Sequence, residues 1–110
     1  PSLGSVMTSA LVATDGVLIP IQAEYLAMDG LALITGSIER IRESVNPNLE
    51  LNGIVFTMVN SVAKLTEDVM NEVRNHFGEK VYETVIPRNV RVSEAPSMGV
   101  PVLFLDSRSK

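Results

Sequence analysis

The sequence predicts an α/β fold built from parallel βαβ units. Three short apolar runs bounded by turn residues, at 17–21, 54–59 and 81–86, read as strands. Between them lie segments whose apolar residues recur every three or four positions, the spacing of an amphipathic helix. Strands that alternate with helices join as right-handed crossovers into a parallel sheet.

Taken in order, residues 2–13 read as a short helix, with Leu3, Met7, Ala10 and Leu11 at helical spacing. Asp15-Gly16 is a turn signal. Val17 to Ile21 is continuously apolar and suits a strand covered on both faces, with Pro20 at its end or beside a gap because it lacks an N–H. Residues 28–45 form the clearest helix: Leu31, Ile34, Ile38, Ile41 and Val45 make one stripe, and Asn46-Pro47-Asn48 stops it. Gly53 leads into the strand at 54–59. A helix at 67–77 follows, with Thr66 as cap, Glu67 and Asp68 at its positive end, and Gly78 at its C-terminal turn. Its buried stripe is Leu65, Val69, Met70, Val73 and Phe77. The strand at 81–86 ends at Pro87, residues 90–95 make one or two helical turns, and Val102 to Leu105 reads as a last short strand.

Composition narrows the function. With 110 residues the chain is long enough for one domain with a core. It has no cysteine, which removes disulfides and thiolate metal sites, and its one histidine leaves almost no material for a histidine-based metal site or a Ser-His-Asp triad. His76 falls at the end of a helix, where the dipole favours a solvent-facing cation. Met7, Met28, Met58 and Met70 read as core filler. The net charge of −4 opposes DNA binding by the domain as a whole while leaving room for a local basic patch. No apolar run reaches the roughly 20 residues of a membrane-spanning helix. The chain opens on Pro1 rather than Met, so the expectation is a partial domain, a piece of something longer.

An open parallel sheet binds ligands beyond the carboxyl ends of its strands. Three groups fall there: Gln22 and Glu24; Asn60, Ser61 and Lys64; Arg88, Asn89 and Arg91. Each residue alone is equally well an ordinary solvated loop residue. Together, the carboxamides of Asn60 and Asn89 offer the donors and acceptors that read a purine edge, and Pro87 stiffens the second loop. No G-x-x-x-x-G-K-[ST] or G-x-G-x-x-G pattern occurs, so the phosphate cradle of a nucleotide site is missing from these residues.

Four strings carry a family resemblance. Pro1-Ser2-Leu3-Gly4 resembles the segment after the Walker B aspartate in ParA/Soj-type partitioning ATPases, where D-x-P-P-S-L-G is typical. VLIPIQAEYLAMDGL, from Val17 to Leu31, resembles the family's P-x-Q-x-E-Y-x-A-x-x-G-L pattern. Gly53 to Asn60 resembles its strand leading to T-M-x-D, and VYETVIPRNVRVSEAPSMGVP, from Val81 to Pro101, resembles its C-terminal run.

The resemblance spans nearly the whole chain. It implies the C-terminal half of a P-loop NTPase-like doubly wound sheet, cut from a deviant Walker A ATPase. That protein would use ATP and Mg²⁺, dimerise on ATP, bind DNA nonspecifically and answer to a ParB-type protein in chromosome or plasmid partition. It would be cytoplasmic and nucleoid-associated, with no membrane partner. The segment alone is expected to lack ATPase activity, to bind no nucleotide tightly, and to form a homodimer or swapped assembly through its unpaired sheet edge. By the resemblance, Asn60, Pro87, Arg88 and Asn89 surround the adenine base, Arg91 contacts DNA with Lys64 as a weaker contact, and Gln22 and Glu24 lie in a nucleotide-sensing switch. Against these roles, Arg91 also reads as an exposed helix-start arginine, Arg88 as a loop clamp, and Gln22 and Glu24 as loop-ordering residues.

Two departures stand out. The family's D-A-R-T-N-L string reads Asn60-Ser61-Val62-Ala63-Lys64-Leu65 here, so Asn60 replaces an aspartate and Val62 replaces a DNA-contacting arginine. They leave room for a second reading, a noncatalytic α/β interaction module derived from that family. A third, a related membrane-positioning ATPase, needs a basic amphipathic C-terminal helix that residues 106–110 are too short and polar to supply.

Overall fold

The computed structural model describes residues 4–60 and 62–108. The expected roles of Leu3 and Ser61 lie outside the described residues. Helix α1 (Ser5–Ala13) precedes strand β1 (Gly16–Gln22), followed by α2 (Ala27–Ser44), β2 (Glu50–Val59) and α3 (Lys64–Phe77). A 3₁₀ turn (Gly78–Lys80), β3 (Val81–Pro87), α4 (Val90–Met98) and the single turn α5 (Val102–Leu105) complete the chain. The sheet is parallel, in the order β1-β2-β3.

That order decides which face is covered. Two successive right-handed crossovers stepping in the same direction place α2 and α3 on the same side of the sheet. The core accordingly lies on one face, where Ile19, Ile54, Phe56 and Val81 meet Leu31, Ile38, Val69 and Val73 in one buried cluster. Arg74 on α3 holds its guanidinium 5.5 Å from the centre of the Phe56 ring, close enough for a cation–π contact. The opposite face is bare: Leu18 and Ile86 are about half exposed, at 55% and 49%, and Pro20 is also exposed. The expectation that residues 17–21 are buried on both faces is therefore wrong, because both crossover helices fall on one side. The radius of gyration, 16.1 Å, exceeds the roughly 13 Å of a compact domain near this length, as a one-sided sheet requires.

Other departures from the sequence reading have local causes. Pro20 sits inside β1, and the sheet accepts it because β1 is an edge strand with a single neighbour. Helix α3 begins three residues earlier than expected, with Ala63 rather than Thr66 at its N-cap and no side-chain cap bond. Lys64 then sits in the first turn, where the dipole disfavours a cation; its ammonium pairs with Asp68 at 3.2 Å. Val45 and Leu65 lie at helix ends and are exposed, whereas Leu31, Ile38, Val69 and Val73 in the stripes are buried, with Ile34, Ile41, Met70 and Phe77 partly buried against them. Helix α4 continues through Pro96 to end on Gly99, whose φ of 69° is a left-handed conformation that favours glycine. Val102 to Leu105 form a helical turn rather than a strand. Pro101, with φ −62°, starts it, and its carbonyl accepts from the Phe104 and Leu105 N–H groups at 3.0 and 3.2 Å.

Asn46 ties the first helix to the rest. Its Nδ2 donates to the carbonyls of Leu11, Val12 and Thr14 at 3.0, 3.2 and 2.7 Å, covering acceptors left over at the C-terminal end of α1. Its own backbone N–H closes α2 onto the Ile41 carbonyl at 2.9 Å.

Candidate functional site

The parallel register brings the three strand ends to one edge. Gln22 is opposite Thr57, and Val59 is opposite Pro87. All three polar groups singled out in the sequence leave the sheet at this edge.

Two recesses meet there. One, about 340 Å³, is lined by Met58, Ile86, Pro87, Arg88, Asn89 and the first turn of α4. The second, about 180 Å³, takes in Gln22, Glu24, Met58, Asn60, Thr66 and Arg88. Met58 and Arg88 belong to both and form the wall between them. A third recess, about 500 Å³, runs from Gln22 and Glu24 along α2. The structure therefore gathers Gln22, Glu24, Asn60 and Arg88 around one recess, and Pro87, Arg88 and Asn89 around its neighbour.

Local hydrogen bonds set the two asparagines. Asn89 is the N-cap of α4, its Oδ1 accepting from the Arg91 N–H at 2.8 Å. Asn60 Oδ1 accepts from the Val62 N–H at 3.3 Å, turning the chain from β2 towards α3. Each carboxamide oxygen thus accepts from one backbone donor two residues on. The backbone N–H of Arg88 donates to the Val59 carbonyl at 3.1 Å, extending the β2–β3 pairing to the rim. The Arg88 guanidinium makes no hydrogen bond or ion pair among the described residues.

The two basic residues assigned to DNA differ from it. Arg91 pairs with Glu94 at 2.9 Å within α4 and with Asp106 at 3.7 Å just beyond α5. Lys64 is exposed, and its hydrogen bond to Asp68, with the charges of Asp68 and Glu67, raises its pKa above the usual lysine value. It is cationic at neutral pH. Val62, in place of the arginine of the related string, is 89% exposed.

Sequence reasoning missed Met58. It was assigned to the core, but its side chain is 42% exposed and its φ is +52°, the only positive value among the described non-glycine residues. The β2–β3 register slips between Phe56 and Val59, and this irregularity turns Met58 out of the alternation expected of a strand. No residue type in the sequence announces that slip.

Among the described residues no group of three or more His, Asp or Glu side chains is arranged to hold a metal ion. No helix among them is long and apolar enough to cross a membrane. The residues at the edge offer carboxamides, a guanidinium and apolar walls. A triphosphate with Mg²⁺ finds no matching loop in these 110 residues.

Comparison with known proteins finds relatives that match nearly the whole chain. The family model described as an AAA domain matches residues 1–51. The chromosome partitioning protein ParA of Caulobacter vibrioides is 52% identical over 106 residues, which cover 96% of this chain and 40% of that protein. The sporulation initiation inhibitor protein Soj of Bacillus subtilis is 44% identical over all 110 residues, 44% of its own length. The chain thus spans less than half of these curated relatives. Among solved structures, cobyrinic acid a,c-diamide synthase from Mycobacterium smegmatis superposes with a TM-score of 0.71 at 31% identity, covering 82% of this chain and 37% of that one. A second structure of that enzyme, with bound ADP and magnesium, also gives 0.71, at 26% identity over 90% of this chain and 46% of that one.

Proposed function

Because this chain belongs to the ParA/Soj family of partitioning proteins, we propose that it supplies the base-binding and DNA-facing part of a DNA-segregation ATPase. The observation that carries the proposal is the convergence of Asn60, Arg88 and Asn89 on adjoining recesses at the strand-end edge. Asn60 and Asn89 would read the Watson–Crick edge of adenine through their carboxamides, and Pro87 and Ile86 would wall one of its faces. Arg88, which lines both recesses, would face the nucleotide's ribose–phosphate side. ATP with Mg²⁺ would supply the phosphoryl chemistry; this chain's residues bind and orient the base.

In the whole protein, nucleotide-dependent pairing of two copies would bring Arg91 and Lys64 of each to one duplex, and a ParB-type protein would act on that dimer. Such a protein works in the cytoplasm, on the nucleoid. Gln22 and Glu24, at the mouth of the second recess, are placed to sense the nucleotide through the loop after β1. The free edge and bare face of the sheet predispose the isolated chain to homodimerise or swap.

An amide-resolved NMR titration of this chain with adenosine tests the base site. Shifts concentrated at Asn60, Arg88 and Asn89 are expected; unmoved amides at these positions would remove the site. The alternative, an interaction module without nucleotide, draws on the exposed Val62 where relatives place a cation. Binding of a protein partner that neither adenosine nor ATP alters would favour it.

A further inference from the structure

We propose that Met58 is a specificity-determining residue of the base recess, held out of its strand in a strained conformation so that its thioether packs against a purine face. The proposal rests on the base-site reading above and adds a residue to it. Three observations lead here. Met58 has φ +52°, a region that costs a non-glycine residue free energy and persists where surroundings impose it. It sits where the β2–β3 register slips, so that a strand residue is re-aimed at the sheet's rim. It is also shared by both recesses, standing between Pro87 and Asn89 on one side and Asn60 on the other.

A core role does not account for this arrangement. Phe56, two residues earlier, is fully buried, whereas Met58 leaves 42% of its surface to solvent. A side chain that is both strained and exposed gains little from packing within the fold. An unbranched, polarisable thioether beside an aromatic ring gains a favourable sulfur–π contact, and its flexibility suits the flat face of a base. The carboxamides of Asn60 and Asn89 address an edge, so Met58 supplies the face that they do not.

The test uses this chain with its methionine methyl groups labelled with ¹³C, titrated with millimolar adenosine, and a Met58→Gly variant. The Met58 methyl signal is expected to move upfield under the ring current, while Met98, exposed on α4 and outside both recesses, stays in place. Met58→Gly should weaken adenosine binding about two- to tenfold, the range of a sulfur–aromatic contact. Its Tm should hold or rise, because glycine adopts the positive φ without strain.

A still Met58 methyl alongside moving Asn89 and Arg88 amides would overturn the proposal and leave the base site standing. Stillness at every one of these positions would sink both. A Met58→Gly chain that loses thermal stability but binds adenosine as before would show a structural residue and overturn the proposal.

Discussion

Asn46 offers the sharpest physical test of the fold that positions the site. Replacing it by alanine removes an amide whose two N–H groups serve three carbonyls, those of Leu11, Val12 and Thr14. Two of the three bonds are partly buried and one is exposed. Two effective hydrogen bonds at a net 1 kcal/mol each give a loss of about 2 kcal/mol, with water recovering the exposed acceptor most easily. In a domain of this size that corresponds to a fall in Tm of roughly 8–16 °C. Asn46→Asp should be worse than alanine at neutral pH, since a carboxylate only accepts and would face three carbonyl oxygens. Chemical and thermal denaturation of the three proteins, followed by circular dichroism, measures both effects. A loss below about 0.5 kcal/mol for the alanine variant, or an aspartate variant as stable as the asparagine, would refute the reasoning.

Three further outcomes are expected. Arg91→Ala should lower affinity for nonspecific duplex DNA in the full-length protein and reduce its log–log salt slope by about 1, whereas Val62→Arg should raise that slope by a similar amount; fluorescence anisotropy across a salt series reads both. Gly53→Ala should cost about 1 kcal/mol or less in urea, because a Cβ there would lie 2.6 Å from the far end of the Tyr82 ring, and that half-exposed side chain can swing aside. Light scattering of the isolated chain at micromolar concentration should give a dimer or larger assembly, since the sheet presents free edges and a bare face; a monodisperse monomer would contradict that expectation.

Much of the fold was legible in the sequence because its signals are local. The stripe Leu31-Ile34-Ile38-Ile41 and the apolar runs at 17–21 and 54–59 specify helix and strand without reference to anything distant. What the sequence could not show was the strand order, and with it the bareness of one sheet face: Val17 to Ile21 is apolar enough for two covered faces, yet Leu18 and Pro20 meet solvent. Val102 to Leu105 misled for a related reason. Four apolar residues suit a strand only beside a neighbour to pair with, and after Pro101 the chain closes a helical turn instead. At the site, the polar residues Asn60, Arg88 and Asn89 were readable from their positions after strands. Met58 was not, because its exposure depends on a register slip between β2 and β3 that no residue type announces.

The central claim is that this segment works within a DNA-segregation ATPase. Retention of the full-length protein on immobilised nonspecific duplex DNA, with ATP, with ADP and without nucleotide, tests it most directly. The account predicts retention with ATP, little with ADP or no nucleotide, and loss of the ATP-dependent fraction in Arg91→Ala. Retention that is absent, or indifferent to nucleotide, would contradict it.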